Sequence, residues 1–126
     1  MLNIVTEYRN GILFVRISGK LNKNTIYKFN KKVINVIKDN GICNIVFNFT
    51  NLKEIDMKGI STLFYNYELC KKNKGTSFIC GNNDNIKNKL KKTRLLNYIY
   101  EIPNELLASR LINLRWKNEK FRWNNN

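Results

Sequence analysis

The chain has 126 residues, 43% of them hydrophobic, with 23 Lys and Arg against 9 Asp and Glu and a formal charge of +14. A chain of this length buries a real core without disulfide staples, and its apolar content excludes a disordered class. No apolar run approaches the ~20 residues of a membrane span, and with no His and three cysteines that form no Cys-x-x-Cys pair, a zinc site is excluded and the commonest neutral-pH base is missing.

The N-terminus, MLNIVTEYRN, lacks a basic region leading into an apolar stretch, so a cytoplasmic protein is expected. The positive charge has two readings. It can serve as a field for nucleic acid or an acidic partner. It can also reflect a coding bias that over-uses Lys, Asn and Ile together. The spread of lysines along the chain favours the second.

Residues 2–8 and 12–18 read as two strands joined at Asn10-Gly11, a hairpin turn signal. In the second, Leu13, Val15 and Ile17 share a face and should point to the core, opposite Ile12 and Phe14. Residues 24–39 predict a helix with a stripe of Ile26, Phe29, Val33, Val36 and Ile37, capped by Asn24 or Thr25 and stopped at Asn40-Gly41. The apolar run at 45–49 predicts the central strand, and a polar loop is expected at 50–54. Asp56 then precedes a helix with Ile60, Leu63, Phe64 and Tyr67 on one face. Its carboxylate is a natural N-cap for that helix, which runs to about Asn73.

Residues 76–80, TSFIC, predict a fourth strand, and Cys43 and Cys80 read as small buried hydrophobes. Residues 83–92 predict a short surface helix with only Ile86 and Leu90 to bury. A last strand is expected at 98–102, with Pro103 in the first turn of a final helix. Leu106, Leu107, Leu111 and Ile112 of that helix should close the core. The order β-β-α-β-α-β-α-β-α favours an α/β fold, a mixed, mostly parallel sheet with helices packed mainly on one face.

Two short motifs carry a family resemblance. Gly19-Lys20-Leu21-Asn22 follows the second strand, and Asp56-Met57-Lys58-Gly59 opens the helix after the central strand. With these motifs and this order of segments, residues 2–112 resemble the STAS domain, the fold of bacterial anti-sigma factor antagonists. In that family the first motif reads Gly-Glu/Lys-Leu-Asp. The second reads Asp-Ser-Ser/Thr-Gly, and its second hydroxyl residue is phosphorylated by a partner kinase. Here Asn22 replaces Asp, and Lys58 holds the phosphoacceptor position without a hydroxyl. Ser61 and Thr62 lie about one helical turn further on, with Thr62 beside the core stripe.

The resemblance implies a non-catalytic module that binds an anti-sigma factor or histidine-kinase-like ATPase without the standard serine phosphoswitch. No cofactor, metal or catalytic residue is expected. The expected partner surface joins Lys20 and Asn22 to Asp56, Met57, Lys58 and Gly59. Asp56 would position the turn, Met57 supply adaptable apolar contact, Lys58 supply charge, and Gly59 let a partner come close. One alternative is a STAS subunit of a transport or stress-signalling assembly. Another is a basic nucleic-acid-binding protein using residues 113–126, an extension beyond the 1–112 STAS-like domain, in which Trp116, Phe121 and Trp123 interleave with Arg and Lys. That composition could also press on a membrane surface, but a helical extension whose aromatics cover the domain, or a frayed tail, is the favoured reading of the segment.

Overall fold

The computed structural model describes the backbone of residues 1–124 and the side chains of residues 1–114. Five strands form one sheet in the order β1-β2-β3-β4-β5, with β1 at Leu2–Arg9, β2 at Ile12–Leu21, β3 at Asn44–Ile55, β4 at Ser77–Cys80 and β5 at Tyr100–Glu101. The β1–β2 hairpin turns at Asn10 and Gly11, both at positive φ, and is antiparallel; every later pairing is parallel. The helices are α1 (residues 26–40), α2 (Met57–Lys72), α3 (Asp84–Lys92) and α4 (Glu105–Asn124). Within α1 a single π turn, Asn30–Ile34, separates Ile26–Phe29 from Asn35–Asn40. This is the mixed, mostly parallel α/β sheet that the order of elements implies.

Leu13, Val15 and Ile17 face the main core, as their alternation predicts. They meet Ile45, Phe47 and Phe49 of β3 beneath Phe29, Val33 and Ile37 of α1 and Ile60 and Leu63 of α2. α3 adds only Ile86 and Leu90. The opposite face is covered too. Ile12, Phe14, Val46, Phe78 and Cys80 are buried there with Ala108 and Ile112 of α4. The last helix therefore closes a second, smaller core, not the main one. A central parallel strand is apolar on both faces for this reason: Val46 and Phe47 are neighbours in sequence and both fully buried.

Residues 50–54, expected as a loop, are strand. Their polar letters mislead because the strand is half wet there: Thr50, Asn51, Lys53 and Glu54 are exposed while Leu52 and Ile55 are buried. β2 extends alongside to Leu21, its register adjusting between Arg16 and Ser18 and again between Gly19 and Lys20. Gly19 has φ +90°, and a Cβ there would strike the Met1 carbonyl.

Residues 98–102 supply only the two-residue β5, after a 3-10 turn at Leu95–Asn97. Pro103 stands ahead of α4 instead of in its first turn; Asn104 caps the helix, its Oδ1 accepting the Leu107 N–H at 2.9 Å. Cys43 precedes β3 and is half-buried, whereas Cys70 and Cys80 are buried. α4 stays helical past residue 112 to Asn124. The side chains of 115–126, on which the reading of the tail aromatics rests, lie outside the described residues.

Candidate partner-binding site

The candidate residues meet at the carboxyl end of β2 and β3, where α1 and α2 begin. Parallel register brings them there, with Lys20 opposite Glu54 and Leu21 opposite Ile55. In α/β sheets this end is where ligands are met. Asp56 is the joint. Its backbone is extended, at φ −106° and ψ −175°, and its N–H donates to the Leu21 carbonyl at 3.2 Å. One carboxylate oxygen accepts the Gly59 N–H at 2.9 Å and caps α2, as predicted. The other accepts the Lys23 N–H at 2.9 Å. Both oxygens are thus engaged within the chain, tying the start of α2 to the loop before α1.

Asn22 also turns inward. Its Oδ1 accepts the N–H groups of Asn24 at 2.9 Å and Thr25 at 3.2 Å. Its own N–H donates to Thr25 Oγ1 at 3.0 Å, and that hydroxyl donates to the Lys20 carbonyl at 2.8 Å. The expected caps of α1 were Asn24 or Thr25. Thr25 makes no side-chain cap bond, and Asn22 takes the free amides because residues 22–25 fold into an Asx-type turn.

Gly59 is buried, and a Cβ there would lie 2.7 Å from the Leu21 carbonyl oxygen and 2.8 Å from Ile55 Cγ1. The close approach it permits is between α2 and the ends of β2 and β3, not toward a partner. The exposed heads belong to Lys20, Met57 and Lys58, with Met57 at 63%. Lys20 lies 3.7 Å from Glu54 with both largely in water, a pair that contributes little. Ser61 is exposed on the next turn, while Thr62 is buried and donates to Asn30 Oδ1 at 3.2 Å.

Sequence reasoning missed Lys23, Asn24, Glu54 and Lys89. With Asn22, Ile55 and Asp56 they line a shallow hollow of about 220 Å³ beside the turn. Lys23 follows the Gly19–Asn22 motif directly and could have been included from its position. Lys89 has no such signal among Lys87, Lys91 and Lys92; α3 delivers it, and its Nζ donates to the Ile55 carbonyl at 3.4 Å. Lys23 and Lys89 line this hollow, while Lys20 lies opposite Glu54 on β2 and Lys58 follows Asp56 in the first turn of α2. Of the nearby acids, Asp56 is committed to backbone amides and Glu54 pairs with Lys20. A larger open hollow of about 670 Å³, lined among others by Asn3, Ser18, Asn51 and Asn83, contains none of the expected site residues.

A family model for the STAS domain matches residues 3–108. Among solved structures, an anti-sigma factor antagonist from Mycobacterium paratuberculosis aligns with a TM-score of 0.80 at 17% identity, covering 90% of this chain and 95% of that one. The Bacillus cell fate determinant SpoIIAA in its phosphorylated form aligns at 0.69 and 14% identity, over 86% of this chain and 99% of that one. The murine anion transporter Slc26a9 aligns at 0.70 and 14% identity, over 86% of this chain but 18% of the transporter. At such identities the likeness is one of fold, and that fold occurs both in anti-sigma factor antagonists and in a transporter. Matched by the family model over most of its length, the chain belongs to the STAS domain family.

Proposed function

We propose that the chain is a non-catalytic binding module of the anti-sigma factor antagonist type. In this reading it docks an anti-sigma factor or kinase-like ATPase through the first turn of α2, without a serine phosphoswitch. The observation that carries it is Lys58, exposed in that turn at the position where the resembling family places its phosphoacceptor. A hydroxyl there would be switched by added phosphate charge; an ammonium group offers no such acceptor. The surrounding Lys20, Lys23 and Lys89 support a partner surface that is acidic. Lys20, Met57 and Lys58 would touch the partner, while Asn22, Asp56 and Gly59 hold the turn in place.

The test is affinity capture of the chain's partner followed by binding with the purified proteins. A histidine-kinase-like ATPase captured together with a sigma factor is the expected result. Binding should not respond to ATP through residues 56–59, and Lys58→Ser should restore phosphorylation if the docking surface is intact. Lys58→Glu should weaken an acidic partner by about 1 kcal/mol or more where the contact is desolvated. Partner binding indifferent to both substitutions would put the interface elsewhere. A second reading, a STAS subunit within a transport or stress-signalling assembly, is favoured by the fold shared with Slc26a9; capture of transporter components would select it.

A further inference from the structure

α4 is apolar on two sides. Ala108 and Ile112 are buried in the second core, and Arg16 ties Glu105 to the sheet. Leu106, Arg110 and Leu114 follow one another at steps of four and so form a row. Turning at 3.6 residues per turn, that row points away from Ala108 and Ile112. Leu106 is 61% exposed and Leu114 56%, with Leu111 on the flank at 39%. Three exposed leucines in so short a stretch leave an unpartnered apolar strip.

We propose that this strip lays α4 on the surface of an anionic lipid membrane. The reasoning is one of charge and solvent together. Arg110 sits between the two outward leucines, and the one acid in the described part of α4, Glu105, is neutralised by Arg16. Residues 115–124 add Arg115, Lys117, Lys120 and Arg122 against a single acid, Glu119. A second copy of this chain would cover the leucines but set one charge of +14 against another. A nucleic acid would supply phosphates but no apolar sink for Leu106 and Leu114. A bilayer of acidic phospholipids supplies both, headgroup phosphates for the cations and the acyl boundary for the leucines. Such a helix lies along the interface and does not span it, and no described helix is long and apolar enough to cross a membrane. α4 packs on the sheet face opposite α1, α2 and α3. Lipid contact there leaves the α2 turn free, so this inference stands apart from the proposed function.

The experiment is flotation of the full chain with vesicles of phosphatidylcholine alone and of phosphatidylcholine mixed with phosphatidylglycerol. Association with the mixed vesicles only, weakening as salt rises, is expected. The double variant Leu106→Gln, Leu114→Gln should partition about tenfold less well. Both positions face water, so its circular dichroism and melting temperature should match the parent's. Absence of flotation at low salt would overturn the proposal. So would undiminished flotation of the double variant, which would mean electrostatic adsorption only. Tight RNA or DNA binding indifferent to the leucines, or a concentration-dependent dimer that the double variant abolishes, would assign the strip or the charge to another occupant and likewise overturn it.

Discussion

Asp56 accepts backbone hydrogen bonds from two segments 33 residues apart in one case and 3 in the other. Removing it opens both, so Asp56→Ala is expected to cost about 1–2 kcal/mol, more than a cap alone. The check is the urea midpoint at an unchanged slope. Gly59 supplies the opposite lesson. In an exposed helix Gly→Ala stabilises by about 1 kcal/mol. Here the new methyl meets the Leu21 carbonyl and Ile55, so Gly59→Ala should instead destabilise by about 1–3 kcal/mol. Lys58 sits in the first turn of α2, where a cation opposes the helix dipole. Lys58→Glu should therefore raise thermal stability by about 0.3–1 kcal/mol while weakening an acidic partner. Stability and binding moving in opposite directions is the signature of a residue kept for contact and not for folding.

At the scale of elements, a polar cluster anchors the first turn of α4 beside the apolar packing of Ala108 and Ile112. Arg16 donates from Nε and Nη2 to the two Glu105 oxygens at 3.0 and 2.8 Å, and from Nη2 to Glu7 at 3.0 Å. Asn48 Nδ2 adds a fourth bond, to Glu105 at 2.9 Å. Three strands and the first turn of α4 thus share it. The hydrogen bonds from Arg16, with a lesser one from Asn48, hold the Glu105 carboxyl below its ordinary value of 4.5, against the opposing effect of burial. A depressed folded-state value means that the stabilisation is complete above the unfolded value and is lost as pH falls through the folded one. Glu105→Gln should cost about 1–2 kcal/mol at neutral pH, since Arg16 is partly in water and its pairing is screened. It should also flatten the acid limb of a series of urea midpoints. An unchanged acid limb would mean that other carboxylates set it.

The whole molecule is a sheet covered on both faces, and its thiols report on that covering. Burial pushes the Cys70 and Cys80 thiols up to about 11: Cys80 lies on β4 in the second core with Ala108 and Ile112 of α4, and Cys70 lies on α2, turned into the main core. Cys43 is only half-buried. At mildly alkaline pH iodoacetamide should modify Cys43 first in the folded protein, and all three thiols once it is unfolded. Mass spectrometry over time checks this. Native labelling of Cys80 as fast as Cys43 would show α4 lifting from the sheet.

Much of the fold was legible along the chain because side-chain alternation and helical spacing are local. The faces of β2, the stripes of α1 and α2 and the Asp56 cap each depend on residues within a few positions of one another. Residues 50–54 misread because two register irregularities break the alternation there, leaving Thr50, Asn51, Lys53 and Glu54 exposed with loop-like letters, and only pairing with the far end of β2 shows the segment as strand. Gly59, Asn22 and Lys89 were decided by tertiary structure. The Leu21 carbonyl fills the space beside Gly59, the turn of residues 22–25 absorbs Asn22, and Lys89 arrives from a helix 34 residues beyond its acceptor. The second core was hidden for the same reason. Its polar anchor joins Arg16 to Glu105 across 89 residues, a separation that no local period encodes and that only the closing of the sheet brings within hydrogen-bond reach.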